Sequence, residues 1–145
     1  MKTSFTSHSP EETAQYGADL APELSPGLVT LTGELGAGKT KLSAGLLEAL
    51  GAEGPYQSPT FMLMKEYHLP HATDTGIARV YHVDAYRLET QDFETLGFQE
   101  WLDDTEALMI LEWPERIAEL LPEKRIDITL VQKSETEREI QIEGK

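Results

Sequence analysis

The eight residues from Gly33 to Thr40 have the types and spacing that most clearly suggest chemistry. They read GELGAGKT and match the pattern G-x-x-x-x-G-K-[ST] at every fixed position. Glycines in such a loop allow backbone angles that side chains forbid, so successive N–H groups can surround an anion. Lys39 would add a positive charge for the outer phosphates, and the Thr40 hydroxyl is suited to bind Mg²⁺. A tight strand-to-helix turn would explain the glycines but not Lys39 and Thr40, so the pattern predicts binding of ATP phosphates with magnesium.

Two carboxylates are candidates for contacting the metal and the attacking water. Asp84 ends the apolar run VYHVD, and Glu112 ends ALMILE. Both runs are typical of strands, and α/β sheets bind ligands at the carboxyl ends of their strands. The alternative roles are a turn cap for Asp84 and an exposed edge carboxylate for Glu112. His82 shares a strand face with Asp84, and a core or rim role is the simpler interpretation of this histidine.

Three further residues are weaker candidates. Thr60, in the segment SPTF, follows the phosphate-loop helix and either approaches the terminal phosphate or belongs to a plain turn. Trp113 either packs near the nucleotide or fills the core. Thr13 is a candidate for the base pocket. The sequence contains no asparagine, which rules out the N-K-x-D guanine-reading element and favours ATP over GTP.

The elements that must position these residues follow from hydrophobic periodicity and turn signals. The strand LVTLT precedes the loop, and a helix with a leucine stripe follows it. A second helix should begin at the cap Ser9, and paired β-like runs predict two hairpins. The result is an α/β fold with a mixed sheet, a parallel core plus antiparallel strands, flanked by helices. The expected helices are 10–24, 39–50, 93–102 and 114–121, and Pro22 is an alternative, earlier end for the first of them. The expected strands are 28–32, 61–69, 77–84, 107–112, 125–131 and 139–142.

Composition limits the classes of protein that the chain can belong to. Its 145 residues are expected to form one domain, 1–145, with a formal net charge of −14. Such acidity disfavours direct binding to nucleic acid, whose phosphates need Lys and Arg. The absence of cysteine excludes disulfides, thiolate metal sites and cysteine nucleophiles. No segment is apolar enough for a signal peptide or a membrane span, so a cytoplasmic location is the expectation.

The chain as a whole closely resembles the TsaE (YjeE) family, the bacterial P-loop ATPases of tRNA threonylcarbamoyladenosine biosynthesis. The resemblance covers nearly all of the sequence. It rests on seven segments in the family's order and spacing: SPEET, GELGAGKT, SPTF, EYHL, HVDAYRL, GFQEWL and LEWPE. The family often has a second threonine where Lys41 stands here and an arginine where Ala44 stands.

The resemblance implies roles for individual residues and partners. Thr40 and Glu112 would hold magnesium, Asp84 would be needed for hydrolysis, and Thr60 would lie in a switch-like segment. Such proteins hydrolyse ATP weakly alone and act with TsaB and TsaD, so tRNA is reached only through the complex and no membrane is involved. The resemblance also implies that ATP hydrolysis resets that complex between turnovers. The residues expected at the nucleotide are Gly33, Glu34, Leu35, Gly36, Ala37, Gly38, Lys39, Thr40, Lys41, Thr13 and Trp113, with Asp84, Lys39 and Thr60 as the catalytic set.

Two other functions use the same loop. An autonomous small-molecule kinase would need an arginine-rich lid and an acceptor pocket, for which the chain has little unassigned length and few basic residues. A nucleotide sensor would bind ATP, change shape and leave the nucleotide intact.

Overall fold

The structure, a computed structural model, describes residues 2–34, 36–56, 59, 63–87 and 89–144. Its centre is a seven-stranded sheet with strand order β1-β7-β6-β2-β5-β4-β3. Strand β2 pairs in parallel with β5 and β6, and β4 pairs in parallel with β5; the other three pairings are antiparallel. The predicted mixed sheet is therefore confirmed. The strands are β1 (Lys2–Ser7), β2 (Gly27–Thr32), β3 (Met64–His68), β4 (Arg79–Asp84), β5 (Ala107–Glu112), β6 (Ile126–Gln132) and β7 (Arg138–Gly144).

Helices α1 (Pro10–Leu20) and α2 (Lys39–Leu50) pack together on one face of the sheet. Helix α1 begins where predicted, because the Ser9 hydroxyl accepts the Glu12 N–H at 3.1 Å. The two helices approach unusually closely. A Cβ on Gly45 would lie 2.0 Å from the Ala14 carbonyl oxygen. This close packing brings the start of α1 beside the start of α2, where the phosphate loop ends.

The opposite face of the sheet carries shorter helical segments. These are α3 (Thr90–Leu96), α4 (Phe98–Leu102) and a 3₁₀ segment from Pro114 to Leu120. Phe93 and Phe98 are fully buried there and pack edge to face, with ring centroids 5.7 Å apart. The sheet thus has one core on each side, and its central strands are apolar on both faces, as in other parallel sheets. In the described ranges, no helix is both long and apolar enough to cross a membrane.

Several predicted elements need correction. The predicted helix 93–102 is two helices, because Gly97 takes φ +91° between them. Helix α1 ends at Leu20 and a 3₁₀ turn, Ala21–Glu23, replaces its predicted last turn. The segment from Pro114 is 3₁₀ rather than α-helical, and Ile117 breaks it with φ −134°. Strand β1 was not predicted at all.

Candidate nucleotide-binding site

The phosphate loop leaves β2 and enters α2 at the carboxyl edge of the sheet. Gly36 and Gly38 take φ +83° and +103°, a region that side chains rarely enter, and Gly38 caps the start of α2. Gly33 is needed for space instead, since a Cβ there would lie 2.8 Å from the Leu130 carbonyl oxygen. The Ala37 N–H donates to the Glu34 carbonyl at 3.0 Å and closes the turn. The loop therefore has the backbone geometry that the glycine pattern predicted.

Lys39 is the most unusual side chain at this edge. It is only 6% exposed, and its Nζ has no hydrogen-bond partner among the residues that the structure describes. Nζ lies 3.8 Å from the centroid of the Trp113 ring, a cation–π contact. Burial lowers the pKa of Lys39, and the negative charges of Glu112, Asp84 and Glu115 oppose that shift. The site thus holds a buried cation that nearby carboxylates compensate only in part.

Asp84 and Glu112 end the neighbouring parallel strands β4 and β5, and the sheet register pairs them directly. They are 4% and 3% exposed. Burial therefore excludes the alternative role of Glu112 as an exposed edge carboxylate. Asp84 accepts the Tyr86 N–H at 2.8 Å, so it does cap a turn while also facing the loop. Glu112 Oε2 lies 2.6 Å from His82 Nε2, and both of these side chains are buried.

Trp113 follows Glu112 in a left-handed conformation, with φ +59°. This backbone region is strained for a residue with a side chain and is often found at functional sites. The indole is half-buried, covers Lys39 and packs 4.9 Å from the exposed Tyr86 ring. Trp113 therefore packs against the core and forms a wall of the cavity, and its contact with a nucleotide stays a prediction.

The loop and these side chains enclose a cavity of ≈ 540 Å³, within the usual range for a small-molecule site. Ten of the predicted site residues line it. Two others, Gly33 and Ala37, shape the loop without lining the cavity. Leu35 and Thr60 lie outside the described residues, so their predicted roles stay predictions. The predicted residues that line the cavity are Thr13, Glu34, Gly36, Gly38, Lys39, Thr40, Lys41, Asp84, Glu112 and Trp113.

Thr13 closes the cavity from helix α1. Its hydroxyl lies 2.7 Å from that of Ser7 and donates to the Ser9 carbonyl at 3.2 Å. Its methyl group would lie 3.4 Å from a Cβ on Gly38. Thr13 is thus a buried wall residue, held by local hydrogen bonds next to the loop.

One further wall, the turn between β6 and β7, is not predicted by any sequence pattern. Arg138 donates from its guanidinium to the Gly36 carbonyl at 3.0 and 3.2 Å, across 102 positions of sequence. Glu135 and Thr136 of the same turn line the cavity beside it. No local motif marks these residues, because the position of β6 beside β2 in the sheet brings their turn to the loop.

Comparison with known proteins agrees with this architecture. The family model "Threonylcarbamoyl adenosine biosynthesis protein TsaE" matches residues 7–140. This chain belongs to the TsaE family. The resemblance inferred from its motifs is thereby confirmed.

Individual relatives of the TsaE family match along most of their length. The chain is 38% identical over 133 residues to "tRNA threonylcarbamoyladenosine biosynthesis protein TsaE" of Bacillus subtilis, covering 91% of this chain and 79% of that protein. It is also 38% identical to the Treponema pallidum protein of the same name, with 94% and 96% coverage. A crystal structure of Bacillus subtilis YdiB superposes with a TM-score of 0.80 at 31% identity, covering 99% and 86% of the two chains.

Proposed function

We propose that this chain is an ATP-binding and ATP-hydrolysing subunit of the assembly that installs the threonylcarbamoyl group on adenosine 37 of tRNA. The observation that carries the proposal is the buried Lys39 ammonium. It ends a glycine loop with the angles of an anion nest and, in the described part of the chain, has no hydrogen-bond acceptor. A nucleotide phosphate would supply the missing acceptors. The family membership supports the tRNA-modification context.

The loop is suited to a triphosphate rather than to a single small anion. Backbone N–H groups around Gly36 and Gly38, together with the positive end of the twelve-residue helix α2, would bind the inner phosphates. Lys39 would reach the outer ones. The walls formed by Thr13 and the β6–β7 turn leave room for the rest of the nucleotide.

The residues present also fit a magnesium ion. Thr40 is the second residue of α2, and its side chain lines the cavity that Glu112 borders from the end of β5. No cluster of three or more His, Asp or Glu in the described ranges could hold a metal alone. That suits Mg²⁺, which uses one or two protein ligands and completes its shell with phosphates and water. Magnesium would supply charge neutralisation on the phosphates during transfer.

Asp84 would orient the attacking water. Its Oδ1 is fixed by the Tyr86 N–H, so the carboxylate has a defined direction at the cavity wall. Water would attack the terminal phosphorus, the bond to the bridging oxygen would break, and ADP and inorganic phosphate would leave. Asp84 would accept a hydrogen bond from that water, which is a positioning task for a carboxylate.

The acidity of the chain supports a division of labour with partner proteins. A net charge of −14 disfavours direct contact with tRNA phosphates. TsaB-like and TsaD-like subunits would hold the tRNA in the cytoplasm, and ATP hydrolysis by this chain would reset their complex between turnovers.

The deciding experiment is phosphate release from Mg·ATP by the purified chain, with and without TsaB-like and TsaD-like proteins. Slow release alone and faster release with both partners is the expected result. Phosphate found on an acceptor molecule would identify a kinase instead. ATP that is bound but left intact under both conditions would identify a nucleotide sensor, and either outcome would overturn the proposal.

A further inference from the structure

We infer that His82 is a positioning residue, which fixes the Glu112 carboxylate so that it can hold magnesium or a magnesium-bound water. This inference rests on the proposed function, because it gives Glu112 its metal role. His82 lies two residues before Asp84 on β4, so both side chains point to the same face of the sheet. Val80, two residues before His82, points to the same face and packs into the core formed with α1 and α2. Helices α1 and α2 therefore cover this face.

The contact between His82 and Glu112 is short and shielded from solvent. Nε2 of His82 lies 2.6 Å from Oε2 of Glu112, and the side chains are 1% and 4% exposed. A hydrogen bond to a charged group is stronger than a neutral one, and burial strengthens it further. The bond therefore restrains the carboxylate in one orientation before any ligand arrives.

The other ring nitrogen indicates why a histidine stands here. Nδ1 is buried, and no described residue gives it a hydrogen-bond partner. Leaving a polar atom unpaired in a core costs free energy, which an apolar side chain of similar size would avoid. Among the described residues, the contact of Nε2 with Glu112 is the hydrogen bond that offsets that cost, which points to the orientation of Glu112 as the purpose of the residue. With a carboxylate as acceptor, Nε2 is assigned the proton.

Outer residues that hydrogen-bond a metal ligand raise metal affinity by fixing the ligand's orientation, and their loss typically costs about 10- to 100-fold. His82 is placed to act in this way. One oxygen of Glu112 is engaged by the histidine, which aims the remaining carboxylate oxygen along a fixed direction. A carboxylate free to rotate would bind the ion less tightly.

The test compares His82→Leu, which removes the donor, with His82→Gln, which keeps an N–H at similar reach. ATP-analogue affinity is measured by calorimetry in EDTA and across a magnesium series, and Mn²⁺ binding to the nucleotide complex is followed by electron paramagnetic resonance. Tyr81→Phe is the matched control. It lies next to His82 in β4 and also removes a hydrogen bond to a carboxylate, from Tyr81 to Asp104 at 2.8 Å, but on the other sheet face.

For His82→Leu we expect nucleotide affinity in EDTA within about twofold of the parent and a magnesium or manganese requirement raised about 10- to 100-fold. His82→Gln should recover most of that loss, and Tyr81→Phe should show none. A His82→Leu protein with the parent's metal requirement would overturn the inference. So would a His82→Gln protein that folds but loses metal affinity as His82→Leu does.

The same measurements separate this inference from the proposed function. If the parent chain binds no nucleotide at all, the proposed function fails, and the role of His82 fails with it. If the parent binds Mg-nucleotide normally and His82→Leu matches it at every metal concentration, only the His82 inference fails. Equal loss of affinity in EDTA and in magnesium would mark His82 as structural and would also contradict the inference.

Discussion

The polar side chains at the two ends of strand β4 differ in how completely they are hydrogen-bonded. At its amino end, Asp104 accepts hydrogen bonds from the Arg79 guanidinium at 2.5 and 2.8 Å, from the Tyr81 hydroxyl at 2.8 Å and from the Glu106 N–H at 3.0 Å. These bonds, led by those from Arg79, hold the pKa of Asp104 well below its usual range. This end is built from charges that satisfy one another.

At the carboxyl end of β4 the polar groups are more deeply buried and less completely paired. Lys39 Nζ and His82 Nδ1 have no hydrogen-bond partner within the described ranges, although both are buried. Burial, the largest influence, lowers the pKa of Lys39 there. One end of the strand therefore stabilises the fold, whereas the other gives up stability for a ligand that would supply the missing contacts.

Among the substitutions that test this difference, Lys39→Met should have the largest effect, which is on nucleotide affinity. Loss of charge-assisted hydrogen bonds to phosphate, worth about 1.5–3 kcal/mol each, should weaken ATP-analogue binding at least about 100-fold. The melting temperature without nucleotide should change by only a few degrees, because relief of the buried cation is offset by the loss of its attraction to Asp84 and Glu112. Calorimetry and thermal unfolding measure the two effects. Lys124→Met, an exposed lysine outside the cavity, is the control, and unchanged affinity in Lys39→Met would contradict the assignment.

Asp84→Asn, at the same edge of the sheet, tests whether nucleotide binding and ATP hydrolysis depend on different residues. The amide can still accept the Tyr86 N–H, so the turn should persist and nucleotide affinity should stay within about threefold of the parent. Phosphate release stimulated by partners should fall at least about 100-fold. The exposed Asp74→Asn serves as control. Full turnover in Asp84→Asn would remove this carboxylate from the mechanism.

Asp104→Asn examines the opposite end of the strand. It should lower the melting temperature by a few degrees, because the paired hydrogen bonds from Arg79 lose their charged acceptor. Nucleotide affinity should be unchanged. The neighbouring Asp103→Asn, where the exposed carboxylate accepts a hydrogen bond from the Gln99 side chain of helix α4, should shift the melting temperature less. A loss of nucleotide affinity in Asp104→Asn would show that the two ends are not independent.

The smallest expected effect is that the difference in melting temperature between the parent chain and Asp104→Asn depends on pH. The folded-state pKa of Asp104 is depressed, so its contribution is fully present above the unfolded value of about 3.9 and is lost as pH falls towards the folded value. The melting-temperature gap between the parent chain and Asp104→Asn should therefore be constant above about pH 5 and shrink below about pH 4. A gap that widens in acid would contradict the assignment.

Local patterns predicted the elements that position the site. The phosphate loop and helix α2, Lys39–Leu50, were predicted within their observed bounds because glycine spacing and a leucine stripe are local signals. Strand β1 was missed because it is a short, mostly polar edge strand, paired only with β7 at the far end of the sequence. The helix predicted over 93–102 includes Gly97, whose left-handed conformation instead divides that segment into two helices.

The predicted site residues likewise carry local signals, whereas Arg138, which was missed, does not. Lys39, Asp84 and Glu112 lie at strand ends or in a motif, where types and spacing identify them. The contact of Arg138 with Gly36 depends on sheet order, which no local pattern contains. The pairing of His82 with Glu112 likewise follows from strand register, so sequence reasoning assigned His82 only a core or rim role.

The most direct test is the structure of the chain bound to magnesium and a non-hydrolysable ATP analogue. We expect phosphates within the loop from Gly33 to Thr40, with Lys39 Nζ drawn from the Trp113 ring onto the outer phosphates. A nucleotide bound elsewhere, or a cavity that stays empty with Nζ still over the indole, would contradict this expectation.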